Sequence, residues 1–284
     1  MKTLTLTIAL IFLFPFIVHA QEMSALAPNE AAGEVGFDFE RAYQDYVFTT
    51  DVYNNQHSAY LLAKAQYKQA GTLVSQTKAQ EETVKMLEAR DDVVITYLTS
   101  LRMKLSEAEG VSNITKNGLF TRLDAEIAWF SDHKSRIRSA GTLDDLAADS
   151  DEASNRFSSL SEVVAYETLA TYPFGKLSLM REETNSILSA IKDKIFEVRS
   201  NGDKDTAIIE RWAFEIENKI TRSLDKEIEA QSIIPSLTGP GKGSQRVDRR
   251  GFYNSIIFKL DESRQFLRDA TEFMNEIIRE ITTL

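Results

Sequence analysis

An aromatic residue occupies every seventh position between residues 39 and 67, in the row Phe39, Tyr46, Tyr53, Tyr60 and Tyr67. Because the α-helix has 3.6 residues per turn, positions seven apart return to nearly the same face. A second column, mostly of small residues, lies three positions further along: Ala42, Thr49, Gln56, Ala63 and Ala70. The pattern predicts one long helix over residues 38–70.

Aromatic rows can also bind sugars or bases on a protein surface. In a helix, however, rings seven residues apart are separated by about 10.5 Å along the axis, too far to stack on one another. Small residues in the second column suit the packing of large side chains against small ones. We therefore interpret the row as a core seam that faces the helices that follow.

Glycine and proline, which interrupt helices, number only 12 and 5 in 284 residues. Apolar stripes with helical spacing predict further helices over about 77–110, 113–141, 157–199, 205–233 and 252–284, with a short one after Thr142. Pro173 predicts a kink or break, and the polar stretch 149–155 predicts a joint. The predicted fold class is all-α, an elongated antiparallel helical bundle of coiled-coil type with five to six long helices.

The stripes also predict which side chains face inward. The inward stripe of the 113–141 helix comprises Phe120, Leu123, Ile127, Phe130 and Ile137. That of the 205–233 helix comprises Ile209, Trp212, Ile216, Ile220, Leu224 and Ile228. The last helix has the most regular heptads, from Phe252 to Leu284. Asp91 and Lys134 interrupt stripes, either as buried polar groups that fix the register or as half-exposed groups where helices separate.

The N-terminal twenty residues have the pattern of a secretory signal peptide: Lys2, an apolar run, and small residues at Val18 and Ala20. Cleavage after Ala20 would release a secreted, periplasmic or cell-surface protein; retention as an anchor is the alternative. No later segment is long and apolar enough to span a membrane. The formal charge of −10 argues against binding to nucleic acid. The absence of cysteine excludes disulfides and thiolate sites.

The chain is therefore expected to comprise a signal peptide (1–20), a flexible lead (21–37), a long-helix bundle (38–234), a linker (235–251) and a C-terminal heptad helix packing on the bundle (252–284). The linker contains two prolines, four glycines and four basic residues. Within it, 239–244 resembles a phosphate-binding loop only superficially, because Ser236 stands at the first glycine position and Gly243 follows Lys242. We interpret it as a flexible basic linker, or as a docking segment or hinge.

Few residues suggest chemistry. His57 and His133 lack metal-ligand spacing and are interpreted as surface or half-buried structural residues. The best metal candidate is an acidic group without the calcium-loop pattern, interpreted as solvated: Asp144, Asp145, Asp149, Asp151 and Glu152. Residues 113–115 fit a glycosylation acceptor. We assign no catalytic, cofactor-binding or metal-ligating residue, and no cofactor.

The sequence thus predicts an exported, non-enzymatic helical-bundle protein with a structural or protein-interaction role at the cell envelope or outside the cell. Its partner would be another protein or a second copy of the chain. The first alternative is a membrane-active, pore-forming type of helical protein, with residues 163–180 as the inserting segment. The second is an extracytoplasmic ligand-binding bundle with a cavity lined by the tyrosines.

Overall fold

The computed structural model describes residues 38–201, 206–239 and 247–283, and within these ranges it contains helices and no strand. Among the described residues, six helices have 25 residues or more and one has 14. The helices are α1 Phe39–Ala70, α2 Leu73–Glu107, α3 Asn113–Ile137, α4 Leu143–Arg156, α5 Glu162–Asn201, α6 Ala207–Thr238 and α7 Arg249–Thr283, with a π-helical turn at Phe157–Ser161. The predicted all-α fold with long helices is confirmed. No helix in the described ranges is long and apolar enough to cross a membrane.

The described chain forms two compact units, which divide within α5 between Ala165 and Tyr166. Residues up to Glu107 and 116–165 form unit 1, and residues 108–115 together with those from Tyr166 onward form unit 2. The predicted long-helix bundle over 38–234 includes residues of both units, and each unit has its own buried residues. The predicted signal peptide and flexible lead lie outside the described residues.

Unit 1 begins with an antiparallel hairpin of α1 and α2. Asp38 caps α1 by accepting a hydrogen bond from the Arg41 backbone N–H, and Gly71 ends the helix with a φ of 61°. The Phe39 N–H donates to Glu107, and the Thr49 and Thr96 hydroxyls are 2.7 Å apart, which fixes the antiparallel register. In the aromatic row, Phe39 and the three central tyrosines are buried, as predicted, and Tyr67 is half-buried.

Helices α3 and α4 continue the antiparallel arrangement. Arg102 of α2 pairs with Asp124 of α3 at one end, and Glu88 of α2 pairs with Arg138, the residue that follows α3, near the other. A capping box opens α4, because the Thr142 hydroxyl accepts from the Asp145 N–H while the Asp145 carboxylate accepts from the Thr142 N–H. The predicted joint at 149–155 is wrong, since these residues lie inside α4.

Unit 2 is an antiparallel arrangement of α5, α6 and α7 around one apolar core. The heptad prediction for α7 is confirmed at Ile256, Leu260, Leu267 and further positions, although Tyr253 rather than Phe252 is buried at its start. α5 continues through Pro173 without a break. α6 extends to Thr238 and α7 begins at Arg249, so helices occupy both ends of the predicted 235–251 linker.

Two glycines bring backbones together within unit 2. Gly110, in the loop after α2, has a φ of 71°, and a Cβ placed on it would clash with the carbonyl oxygen of Gly175. A Cβ on Gly175, in α5, would meet the carbonyl oxygen of Glu109 at 2.7 Å. The loop therefore lies directly against the α5 backbone, and only glycine fits on either side.

The inward faces of α3 and α6 differ from the predictions by about one position. The buried residues of α3 are Leu119, Leu123, Glu126, Phe130, His133 and Ile137. Those of α6 are Ile209, Ala213, Ile216, Ile220, Ser223, Glu227, Ala230 and Leu237. Both sets have strict heptad spacing over most of their length, but they include polar residues. Leu224 and Ile228, predicted to face inward, are exposed.

Candidate functional site

A carboxylate and an imidazole meet in the interior of unit 1. Asp91 on α2 and His133 on α3 are both fully buried, and Asp91 Oδ2 lies 2.5 Å from His133 Nδ1. Burial of two polar side chains in an apolar core is costly unless they satisfy each other. Of the two alternatives left open for Asp91, the structure shows the buried one, whereas the prediction that His133 lies at the surface or half-buried is wrong.

Two further contacts fix the orientation of the His133 ring. Its Nε2 lies 3.1 Å from the backbone carbonyl oxygen of Asp149 on α4. The indole of Trp129 stacks on the ring with centroids 4.9 Å apart and planes inclined by 13°. A backbone carbonyl oxygen can only accept a hydrogen bond, so His133 Nε2 carries a proton and donates it to Asp149.

Arg90 connects the same region of α2 to α4. One of its terminal nitrogens donates to the Ser150 hydroxyl at 3.0 Å. The other, Nη2, lies 3.6 Å from Asp91 Oδ1, within ion-pair range but beyond hydrogen-bond range. Neither of these two buried atoms has a hydrogen-bond partner in the described part of the chain. The Asp91 carboxylate is therefore incompletely satisfied on the side away from His133.

A second polar network adjoins Trp129. Glu126 on α3 accepts two hydrogen bonds from Arg156 and a third from the Ser161 hydroxyl. The Arg156 guanidinium also lies over the Trp129 ring, 5.3 Å from its centroid. Ser161 belongs to the π-helical turn, a departure from α-helical geometry that is frequent at functional sites. The two networks share the face of α3 that carries Glu126, Phe130 and His133.

The structure brings His133 together with two members of the acidic group. One ligand atom each from His133, Asp149 and Glu152 lies within 4.8 Å of the others. Asp149 is half-buried and Glu152 is exposed, and Glu152 pairs with Arg136 at 3.3 Å. Asp144, Asp145 and Asp151 are exposed on α4, and no further group of potential metal ligands occurs among the described residues.

His57, the other histidine considered in the sequence, lies in α1 between Tyr53 and Tyr60 and stacks on Tyr53. Partial burial, and secondarily the nearby Lys64 ammonium, lowers the pKa of His57. Lys134 is half-buried and pairs with Asp92 at 2.6 Å, so it supports the α2–α3 contact from outside the seam. Of the loop 239–244, only Gly239 lies within the described residues.

Unit 2 contains a different feature, an exposed apolar surface beside the contact of α5 and α6. We call it the α5–α6 apolar face and define it by Phe196 on α5 and by Phe214, Leu224 and Ile228 on α6. These side chains are 63%, 60%, 42% and 54% exposed. The inward stripe predicted from the sequence includes Leu224 and Ile228. Both residues belong to a second heptad series, which begins at Glu210 and lies one position after the buried series. This second series is the sequence signal that they face outward.

A groove of about 340 Å³ runs along one end of this face, between α5 and α6. Ile195 and Ala213 line it together with Phe196 and Phe214. Two ion pairs cross its rim, Lys192 to Glu217 and Arg199 to Glu210.

Comparison of the chain with protein-family models, with curated proteins and with solved structures finds no match.

Proposed function

We propose that the protein is an exported, non-enzymatic interaction module, and that its α5–α6 apolar face binds an amphipathic helix of a partner protein. The observation that carries the proposal is the exposure of four large apolar side chains on one face of unit 2. Large apolar patches on a soluble protein commonly mark interaction sites. This exposure supports the proposed role in protein interaction.

The face has the dimensions of a helix-binding groove. Phe214, Leu224 and Ile228 follow the spacing of one helical face, and they span about 21 Å at 1.5 Å per residue. Glu210 and Glu217, which pair with α5, belong to the same heptad series. A partner helix placed beside α5 and α6 would bury apolar residues of its own at positions i, i+3 or i+4, and i+7.

Charge favours a partner helix with basic flanks. The chain carries a formal charge of −10, and exposed Asp225 follows Leu224 on α6. Complementary charge accelerates association and selects against acidic competitors. The glutamates at the groove rim are already paired with cations on α5. The preference for a basic partner would therefore come mainly from the net negative charge of the chain.

Site-specific photocross-linking in the producing cell tests this proposal. A photoreactive phenylalanine analogue at Phe214 should give one discrete adduct, whereas the same analogue at Phe258, which is equally exposed on α7, should not. Mass spectrometry should map the adduct to a helical segment with basic residues, and a synthetic peptide of that segment should bind the purified chain. Leu224→Glu should abolish both the adduct and peptide binding.

Three results would contradict the proposal. They are equal adducts from Phe214 and Phe258, an adduct between two copies of the chain, and peptide binding that Leu224→Glu leaves unchanged. Because Leu224 is exposed, the substitution leaves the core of unit 2 intact, and circular dichroism with a melting curve verifies this.

Export is tested independently by fractionation and N-terminal sequencing. The expected mature N-terminus is Gln21, because cleavage after Ala20 fits the small residues preceding it. Recovery of the protein in the cytoplasm with residues 1–20 still attached would contradict export, whereas recovery in a membrane fraction with those residues attached would indicate the anchored alternative.

A further inference from the structure

We propose that the end of the α1–α2 hairpin binds the surface of an anionic lipid bilayer and inserts Leu73 and Val74 at its interface. We call this end the α1–α2 tip and define it as residues 67–76. This inference is independent of the proposed interaction function, because it concerns unit 1 and none of the residues of the α5–α6 apolar face. It also differs from the membrane-active alternative, whose inserting segment is 163–180.

Leu73 and Val74 are the most prominent apolar side chains of the tip. They open α2 and are 75% and 80% exposed. Among the large apolar side chains of the described residues, only Ile114 is more exposed, at 88%. Because Leu73 and Val74 are adjacent, one apolar phase can cover both of them, and their removal from water would be favourable.

The backbone N–H groups of the tip are hydrogen-bonded within the chain. The Gly71 N–H donates to the Tyr67 carbonyl oxygen at 2.9 Å, and the Gln76 N–H donates to the Thr72 carbonyl oxygen at 2.9 Å. The N–H groups of Thr72 and Ser75 each donate to the hydroxyl of the other residue, at 3.1 and 3.2 Å. An unsatisfied backbone donor is costly where water is scarce. These four hydrogen bonds therefore lower the cost of placing the tip at the apolar edge of a bilayer.

The charge near the tip is opposite in sign to that of the whole chain. Between Asp51 and Glu81 the sequence contains Lys64, Lys68 and Lys78 and no aspartate or glutamate. The chain as a whole has 43 acidic residues and a formal charge of −10. Lysines at a membrane surface attract anionic lipid headgroups, so the local charge complements an anionic bilayer.

The two lysines of α1 supply most of this positive charge. On α2, Lys78 lies 3.9 Å from Glu81 and 2.7 Å from Glu82, and Glu82 also pairs with Lys85 at 2.9 Å. That group of two lysines and two glutamates is neutral as a whole. The net positive charge beside Leu73 therefore comes from Lys64 and Lys68.

The positions of these two lysines match a shallow insertion. Lys68 and Lys64 precede the last residue of α1, Ala70, by two and six residues. At 1.5 Å per residue they lie about 3 and 9 Å from that end along the helix axis. Interfacial segments enter a bilayer by about 5–10 Å. Insertion of Leu73 and Val74 to this depth would place both ammonium groups among the lipid headgroups.

A bilayer suits the tip better than a partner protein does. Proteins that bind helices present a groove to them, as the α5–α6 apolar face does. Leu73 and Val74 instead project from the turn between two helices, where a flat apolar phase can reach them. Apolar residues flanked by lysines are also the composition of segments that lie in a membrane interface.

A fluorophore at the tip tests the inference in the chain purified from the producing cell. Because the chain contains no cysteine, Gln76→Cys can be labelled selectively with an environment-sensitive dye, and Leu73 and Val74 stay in place. Vesicles of equal parts phosphatidylglycerol and phosphatidylcholine should shift the emission to shorter wavelengths. Vesicles of phosphatidylcholine alone should require at least a tenfold higher lipid concentration for the same shift. The same dye at Gln44→Cys, an exposed glutamine in the N-terminal part of α1, should not respond.

Substitutions in the Gln76→Cys background separate the apolar and electrostatic contributions. The double variant Leu73→Ser, Val74→Ser should raise the lipid concentration at half of the full signal at least tenfold. Lys68→Gln should raise it about fivefold. An increase in NaCl from about 0.1 to 1 M, which shortens the Debye length from about 10 to 3 Å, should also weaken binding. The matched control is Val47→Ser, Phe48→Ser, an adjacent exposed pair elsewhere on α1, and it should change nothing.

All the substituted side chains are exposed, so the variants should fold, as circular dichroism can verify. The inference would be overturned by equal responses of the labels at Gln44 and Gln76, or by equal responses to the two kinds of vesicle. Unchanged binding in Leu73→Ser, Val74→Ser, or an equal loss in the control pair, would also overturn it. If the tip fails to respond to lipid while a photoreactive analogue at Val74 forms a discrete protein adduct in the producing cell, the tip binds a protein instead.

Discussion

At the scale of single residues, the tyrosines of α1 carry the clearest signature of burial. Tyr46 and Tyr60 lie in the α1 seam, and desolvation raises the pKa of each to about 12. Burial also raises the pKa of Tyr53, although there the Arg90 cation opposes the shift. The ionised forms of these side chains are therefore incompatible with the packed hairpin.

We predict that the protein loses stability between pH 10 and about 12. In the unfolded chain these tyrosines release their protons near the ordinary tyrosine pKa of 10.0, whereas burial in the folded chain raises the pKa of Tyr46 and Tyr60 to about 12. The unfolded state is therefore favoured increasingly as the pH rises through this interval, by about 1.4 kcal/mol per pH unit for each tyrosine. Urea unfolding at a series of pH values measures this loss of stability. Tyr60→Phe should reduce the slope of the free energy of unfolding against pH. A free energy of unfolding that stays constant between pH 10 and about 12 would refute the assignment of these tyrosines to the core.

We also predict that Tyr60→Ala lowers the free energy of unfolding by about 3 kcal/mol, because truncation of a buried aromatic side chain leaves a cavity. Tyr67→Ala, one heptad later and only half-buried, is the matched control and should cost much less. Tyr60→Phe removes only the hydrogen bond that Lys64 donates to the hydroxyl and should cost about 1 kcal/mol or less. Equal losses at both tyrosines would mean that the row is a surface rather than a seam.

At the scale of elements, the sequence predicts where helices lie better than which face they bury. Neighbouring residues are 100° apart around a helix, so two adjacent stripes compete for the interior. In α3, a stripe chosen by its apolar content includes Ile127, and Lys134 is then a polar residue within that stripe. The structure buries Glu126 and His133 instead, since Arg156 and Asp91 satisfy them from other helices. Those partners are distant in sequence, so no local pattern reveals them.

The cluster of His133, Asp149 and Glu152 was only partly visible in the sequence for the same reason. The acidic group that contains Asp149 and Glu152 is evident from composition, but its histidine lies on another helix, 16 residues before Asp149. The helix boundaries were recovered where capping chemistry is local, as at Gly71 and Thr142. They were missed at Pro235, which the predicted linker contains but α6 accommodates.

A buried ion pair in unit 2 provides a test of the revised α6 seam. Glu227 on α6 is buried and pairs with Arg181 on α5. We predict that Glu227→Ala costs about 3–5 kcal/mol, because it leaves a largely desolvated guanidinium without its carboxylate. The double variant Arg181→Met, Glu227→Leu should recover most of this loss. Ile228→Ala, at the adjacent exposed position, is the control and should change the free energy of unfolding by little. Chemical denaturation of the three variants and the wild type completes the comparison.

At the scale of the whole molecule, each of the two units contains its own tryptophan, Trp129 in unit 1 and Trp212 in unit 2. The main buried cluster of unit 2 draws its members entirely from residues 166–281. The cluster around Phe130, Ala153 and Phe157 belongs to unit 1. The two fluorophores are therefore reporters of different cores.

We predict that Leu123→Ala, a fully buried change in unit 1, shifts the unfolding transition seen by Trp129 more than the transition seen by Trp212. The shift should correspond to about 2–5 kcal/mol. Ile216→Ala in unit 2 should give the opposite order. Trp212→Phe and Trp129→Phe backgrounds isolate each signal during urea titration. Identical shifts of both signals in both variants would show that the two units unfold as one cooperative body.

The contact between Gly110 and Gly175 has a consequence for how this protein can change over generations. Heptad seams accept many exchanges among Leu, Ile, Val and Met, because volume and polarity matter more than identity. The two glycines accept none, since a single methyl group on either would enter the opposing backbone. In a saturation library selected for folding, both positions should retain glycine alone while the helices around them diversify. A diverged descendant would be recognised by this pair long after its seams had become indistinguishable from those of any other coiled coil.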